Sequence, residues 1–541
     1  MALRETVYIL LPNREDVAAI LTIRSILVLI CIWAVYKLFQ ASWNLSPFHP
    51  LSHIPGPKLA GATYLPEFWH DAVKFGRYTH EIKRMHDIYG PVVRINPHEI
   101  HCNDAQFVDE IYAMGNRKRE KSHHHMKGVI FGDSTFGTIS HDVHRARRAP
   151  LGKFFSKIQI TQFESEIQLL VQSLCDKLLA EEGQASPLKI QSAYSCFTSD
   201  VISIQSFGES FGFLAQKSWE PNLHRPSYVL LKGIYVFRFF PFLRHTMAAG
   251  AWFSNYLPKD TALLIKTLNI DLPNYIKKVK ADMDAGIVRE RPTVFGELLT
   301  SGLPEQGKSL GRLSDEAASV LTAGTETTSF TLAVLTYHVL SRPEILAKLT
   351  AEVASAVHDP NHLPPWAALE RLPYLSAVIQ EGLRLSYGTT ARSARIAPDE
   401  DLVYRGSWNP PGRSEKGAAA AAVEYVIPRG FAVGMSTPLL HHDEAIFPDS
   451  YAFVPERWLD DNMKRKKELD RYLMSFSRGP RVCVGMHLAT CELYLAVAAL
   501  TLRVFPHMRL FETTEDDVKW DHDMIVPLIR DDRKGVRVVV V

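Results

Sequence analysis

Apolar residues run almost unbroken from Val17 to Phe39, VAAILTIRSILVLICIWAVYKLF, about the ~20 residues that a bilayer core requires. Arg24 interrupts the run near its N-terminal end, where a long side chain reaches the headgroups. Glu5, Glu15 and Asp16 precede it and no small-residue cleavage site follows Lys37, which favours a retained transmembrane anchor over a cleaved secretory signal. The reading is a tail over 1–16, an anchor over 17–39 and a proline-rich hinge over 40–60. In that hinge Ile54-Pro-Gly-Pro57 is stiff and non-helical, because proline fixes φ and biases the residue before it. Flanking charge does not orient the anchor: Arg4, Arg14 and Arg24 are partly offset by acids and face only Lys37 and Lys58. Asn44-Leu-Ser46 has the form of a glycosylation acceptor, which has no meaning if the next domain is cytosolic.

From 61 to 541 helical periodicity dominates, with short strand-like pieces such as Val92–Ile95 and Val538–Val541. The expectation is a mostly α fold with small β-sheets. One long helix is predicted from Ser314 to about Ser341, with Ser314 as its cap, Asp315 and Glu316 at its positive end and Pro343 beyond it. Thr322, Thr325, Thr327, Thr328 and Thr331 crowd its middle with β-branched hydroxyls that bond back to main-chain carbonyls, a local violation expected at a functional site. There is no internal repeat. The one biased stretch, Gly412 to Val423 with five consecutive alanines, reads as an inserted loop between strand-like Leu402–Tyr404 and Tyr425–Ile427.

Composition narrows the class. With 46% hydrophobic and 22% charged residues and a net charge of +2 over 541 residues, the chain is an ordinary globular protein with no broad electrostatic reason for a nucleic-acid partner. Its six cysteines contain no CxxC pair and no scaffold spacing, so a reducing compartment fits, and Cys175, Cys196 and Cys491 read as buried thiols in helix-like stretches. The histidines at 123–125 and 441–442 lack metal-ligand spacing and read as loop residues.

Cys483 differs. Phe476-Ser-Arg-Gly479-Pro-Arg481-Val-Cys483-Val-Gly485 sets it between glycines, beside an arginine and just before the apolar run Met486–Leu500. A helix N-terminus and a neighbouring cation both favour thiolate over thiol, so Cys483 suits a soft anionic metal ligand or a nucleophile.

This segment resembles the cytochrome P450 haem-binding signature, F-x-x-G-x-R-x-C-x-G, at every fixed position. Leu488, Ala489 and Glu492 fit the helix that follows. Ala323-Gly-Thr-Glu-Thr-Thr328 looks like the family's oxygen-activation motif, Glu381-Gly-Leu-Arg384 and Pro455-Glu-Arg-Trp458 like its buried charge network, and all three come in family order. The resemblance implies a P450 fold behind a single N-terminal transmembrane helix, most like fungal trichodiene-oxygenase-like members. It implies haem b with Cys483 as the iron's axial ligand, Phe476 in the haem loop, and Arg481, Arg395, Arg148 and His144 at the propionates, His144 standing where many relatives carry tryptophan. Gly324 would leave room for dioxygen, Thr327 would hydrogen-bond it, and Glu326 would lead to a proton supply. No flavin or nicotinamide domain is legible, so electrons would come from NADPH through a separate P450 reductase, with cytochrome b5 as a further donor, at the endoplasmic reticulum membrane with the catalytic domain cytosolic. The implied reaction is hydroxylation or epoxidation of a lipophilic terpenoid, polyketide or alkaloid-like intermediate. Its contacts would come from Met114–Gly137, Phe211–Phe239, the long helix and Thr389–Ser393. Two alternatives stand beside it: a haem-thiolate isomerase or dehydratase that needs no external electrons, and a non-catalytic haem-binding protein.

Overall fold

The computed structural model describes residues 23–184, 186–244, 256–287, 291–409 and 420–541. Helix α1 (Ile23–Leu45) is exposed along its apolar length, and Arg24–Leu45 is a candidate membrane span; residues 17–22 of the expected anchor lie outside the described residues. The helix runs six residues past Phe39, into the segment expected to be hinge. Its end is fastened to the domain. The Asn44 side-chain amide donates to Ala62 O at 2.9 Å, and Arg94 Nη1 donates to Asn44 O at 2.9 Å. The stretch before Lys58 is non-helical, as the prolines require.

The main sheet has the order β1 (Val92–Asn96), β2 (Glu99–Cys102), β7 (Ala432–Gly434), β4 (Arg395–Ile396), β3 (Glu120–Lys121). Only the β2–β7 pair is parallel. Strands β5 (Leu402–Trp408) and β6 (Ala421–Ile427) form a hairpin in which Trp408 pairs with Ala421. The last two alanines and Val423 of the expected inserted loop therefore belong to a strand, and residues 410–419 lie outside the described residues.

The remaining bulk is helical: α2 (His141–Phe154), α3 (Lys157–Leu179), α4 (Ile190–Phe207), α5 (His224–Phe239), α6 (Leu310–Leu340), α7 (Pro373–Ser386) and α8 (Met486–Ala499). Helix α6 starts four residues before the predicted cap. Ser309 is the cap, accepting from Arg312 N, while Ser314 donates back to Leu310 O; both serines offer the same hydroxyl, and only the backbone direction separates them. Burial on nearly all sides makes α4, α6 and α8 the centre of the core, with α4 against α6 and α3 against α8. Helix α7 begins on Pro373 and stops at Tyr387, whose φ of 62° is left-handed. Gly388 follows at φ 67°, where a Cβ would lie 2.1 Å from Ser475 O, so the chain passes tightly behind the cysteine loop.

Candidate active site

The loop before α8 folds on itself: Cys483 N donates to Phe476 O at 2.9 Å. Gly479, at φ 71°, lets it turn where any Cβ would meet Tyr112 O at 2.4 Å. Phe476 packs against the core. Of the six cysteines, Cys102, Cys175, Cys196 and Cys491 are buried and Cys31 is exposed on α1. The Cys483 side chain is exposed, yet its surroundings still push the thiol up, while the Gly485 amide and the Arg148 guanidinium pull it down. The cation that bears on the sulfur is Arg148, not the adjacent Arg481.

Arg481 turns to the start of α2, donating to the carbonyls of Thr138 and Ile139 at 2.6 and 2.7 Å. Near it stand Arg395, Arg148, His144 and Lys121. Burial together with Arg395 lowers Arg481 to about 9, and burial with Arg395 and Arg481 holds Lys121 well below its usual range. His144 is pushed down to about 2 by burial and then by Arg481, Lys121 and Arg148, which leaves it a neutral ring with one N–H to donate. Glu120 is the one acid whose charge bears on Arg481. Arg481 Nε is buried without a partner. Buried cations facing one another, with a donor unused, suit a ligand that carries its own carboxylates, and the residues present fit a haem with two propionates. Four of these side chains, Arg481, Arg395, Arg148 and His144, are ones the sequence reading named, and they lie near one another. It missed Lys121, which carried no signal beyond a lysine beside His123–His125.

On α6 the threonine hydroxyls bond back to the helix as expected: Thr327 to Ala323 O and Thr331 to Thr327 O, each at 2.9 Å. Ala323 is exposed in the middle of this buried helix, one turn from Thr327. Gly324 is not where its expected role needs it. A Cβ there would meet Ile202 Cγ1 at 2.8 Å, so the missing side chain admits α4 and makes no room for dioxygen. Gly324→Ala is expected to destabilise the fold by ~1–3 kcal/mol, the usual cost of overpacking, and Ile202→Ala in the same chain to recover part of it. Thermal unfolding of the four proteins of that cycle measures the coupling; additive effects would discard the contact.

Glu326 is buried, with Oε2 3.0 Å from His224 Nδ1 and Oε1 unpartnered. Glu326 and Thr327 border a cavity of about 350 Å³, with Phe330, Val526 and Leu528 among its apolar walls and His224 among its polar ones. Of the expected substrate segments, α5 and α6 contribute to this cavity; Gly388, just outside the expected Thr389–Ser393, lines it too. The strands around Val526 were missed, since their short apolar alternation close to the C-terminus carried no chemistry. Thr389–Ser393 is engaged elsewhere: Thr390 donates to Asp523 Oδ1, and Arg392 joins a buried ionic cluster through Glu67 and Asp71, each at 3.0 Å. The same cluster holds Arg238 on Glu67, His124 on Glu67 and His125 on Glu99. His123–Met126 is thus a short helix with two paired histidines, not a loop.

Behind the cysteine loop, Glu381 accepts from Arg384, Arg457, Trp458 Nε1 and Val454 N at 2.8–3.0 Å. Arg384 also donates to the carbonyls of His441, Ser450 and Ala452. His441, expected in a loop, ends a short buried helix; its Nδ1 lies 2.7 Å from Arg384 O and its Nε2 accepts from Met474 N at 2.9 Å. With Ser475 Oγ donating to Leu383 O at 2.7 Å, α7 is joined to the segment that becomes the cysteine loop. Glu492 on α8 is buried, desolvation pushes its carboxyl well above the usual range, and Thr328 of α6 is its hydrogen-bond partner.

A thiol presented in front of a helix, with donors for two carboxylates to one side, is what holding a haem through sulfur requires, and that defines the class as haem-thiolate. The sequence profile of the family Cytochrome P450 matches residues 60–413 and 419–519, and the chain belongs to that family. It is similar to the cytochrome P450 monooxygenase ppzE of Metarhizium majus, 41% identical over 83% of this chain and 94% of the relative. The cytochrome P450 monooxygenase tpcC of Cochliobolus heterostrophus is 38% identical over 94% of each, and the conidiogenone synthase PchP450 of Penicillium rubens 36% over 87% and 90%. The protein is a haem-thiolate monooxygenase that, as its family implies, works with a redox partner on a small molecule.

Proposed function

We propose that this is a membrane-anchored monooxygenase of fungal secondary metabolism. It takes electrons from NADPH through a separate P450 reductase, with cytochrome b5 as a further donor, and hydroxylates or epoxidises a lipophilic terpenoid, polyketide or alkaloid-like intermediate. The observation that carries the reading is the cavity that meets α6 at Glu326 and Thr327, of a size for a small ligand, with an apolar wall of Phe330, Val526, Leu528 and Ile529 facing polar and charged residues. Exposed apolar α1 supports single-pass anchoring in the endoplasmic reticulum with the domain on the cytosolic side, where such a reductase works. A relative named for the synthesis of conidiogenone supports a biosynthetic role.

Cys483 would hold the haem iron, and Arg481, Arg395, Arg148, His144 and Lys121 its propionates. When bound, the haem supplies dioxygen activation, the thiolate favouring O–O cleavage. The protein's own part is to present substrate along the apolar wall of the cavity, to hold Thr327 Oγ as an acceptor while it donates to Ala323 O, and to bring protons through Glu326.

Reconstitution with purified reductase, NADPH and candidate lipophilic substrates tests this reading. Coupled oxygenation is expected. Turnover of peroxides without NADPH, or silence from a haem-loaded, reducible enzyme, would discard it. Lys121→Met should raise the melting temperature of protein stripped of haem, because it removes a desolvated cation from among arginines. It should also speed haem transfer to an apo-globin acceptor by roughly tenfold or more, the worth of a ~1.5–3 kcal/mol hydrogen bond to a charged group. Unchanged haem loss would take Lys121 out of the propionate site.

A further inference from the structure

Glu326 is inside the protein, and a buried carboxylate supplies protons only if something returns them to it. Its Oε2 has one partner, the Nδ1 of His224, and its Oε1 has none, although both residues border the same cavity. His224 is differently placed: its side chain is 26% exposed against 7% for Glu326. Its position is fixed from outside α5, since His224 N donates to the buried Asn222 side chain, which itself donates to Trp219 O. The ring is thereby held with one nitrogen on the carboxylate. The other, Nε2, has no hydrogen-bond partner among the described residues.

We propose that His224 is the proton relay to Glu326, a positioning residue for oxygen activation specific to this chain's cavity; the inference rests on the monooxygenase reading. In the neutral ring Nδ1 carries the proton given to Oε2, and Nε2 is an acceptor. A proton taken from cavity water at Nε2 makes the imidazolium, which releases its Nδ1 proton to Glu326. The ring is left neutral as the other tautomer and resets through water. No electron moves and no co-reactant is needed. The charged and titratable groups around this path are Arg225 and Tyr228 on α5 itself, Lys189 on the strand before α4, Asp260 on the helix Lys259–Lys266, and Lys534 near the C-terminus, all lining the cavity. Cations outnumber the single acid among them.

The test compares wild type with His224→Phe and His224→Gln, following product formed per NADPH consumed, peroxide released and the pH dependence of that ratio. Glutamine keeps a donor for Glu326 but cannot ionise. Wild-type coupling should decline with rising pH, as fewer solvent protons reach the ring. In both variants the ratio should drop roughly tenfold, with the lost electrons in peroxide and the pH step gone; water in the cavity limits the loss below the ~100-fold of an acid–base group removed outright. The carbon-monoxide difference spectrum should not change, because His224 touches none of the groups around Cys483. A second readout needs no turnover: in the diamagnetic carbon-monoxide complex the His224 ring resonance should move on Glu326→Gln. Wild-type coupling in the phenylalanine variant, full restoration by glutamine, or an unmoved resonance would overturn the relay. Failure of the wild type to oxygenate anything would instead strike the monooxygenase reading, leaving the resonance test standing.

Discussion

Cys483→Ser should abolish the strongly red-shifted Soret band of the reduced carbon-monoxide complex and with it all oxygenation, while the protein still folds. The substitution removes one sulfur whose side chain is exposed and whose partner, the Gly485 amide, can donate to a serine hydroxyl as well, and serine occupies no more space. Cys102, Cys175, Cys196 and Cys491 offer no substitute, since each is buried with its thiol pushed up by desolvation. The measurement is the difference spectrum at equal haem content, beside a thermal melt of each protein. A red-shifted band surviving in the serine variant would remove Cys483 from the iron.

The second large effect is structural. Glu381→Ala leaves Arg384, Arg457, Trp458 Nε1 and Val454 N without their acceptor, in a place where Glu381 and Arg384 are wholly buried. Removing one partner of a buried ion pair costs about 3–5 kcal/mol, and typical total stability is only about 5–15 kcal/mol. Little folded, haem-loaded protein is expected at 37 °C, and what is recovered should unfold at markedly lower urea. The exposed pair of Lys348 with Glu456 is the control: Lys348→Ala should cost less than ~1 kcal/mol. Equal urea midpoints for the two variants would mean that the Glu381 network contributes nothing to stability.

The difference between these two sites also explains what the sequence made legible. The cysteine loop is local: Phe476 lies seven positions before Cys483, and the spacing itself encodes the turn. Glu381 and Arg384 are neighbours on one helix face, so their pairing could be read, but His441 and Trp458 join them from 57 and 77 positions away. Histidine pairs of that kind look like loop residues until the fold supplies their partners. Gly324 failed for another reason: a glycine in a helix announces close approach without saying from which side, and here the neighbour is Ile202. Lys121 and His224 carried no signal in the sequence because the residues around each come from other elements. Mostly α architecture with small sheets, the exposed apolar helix and the closing strand were read correctly, because periodicity and strand propensity are carried within each segment. The hinge was drawn too early, since the composition changes at Phe39 while the helix continues to Leu45.

That overrun has a mechanical consequence. With Asn44 fastened to Ala62 and Arg94 fastened to Asn44, α1 joins the domain as a bracket and not as a tether. Any torque on the helix is delivered straight to β1 and through it to the main sheet, so the tilt of the one sets the attitude of the other. The place to shorten the chain for a freely tumbling enzyme therefore lies ahead of Asn44, because a cut made at the prolines would take a piece of the folded frame with it.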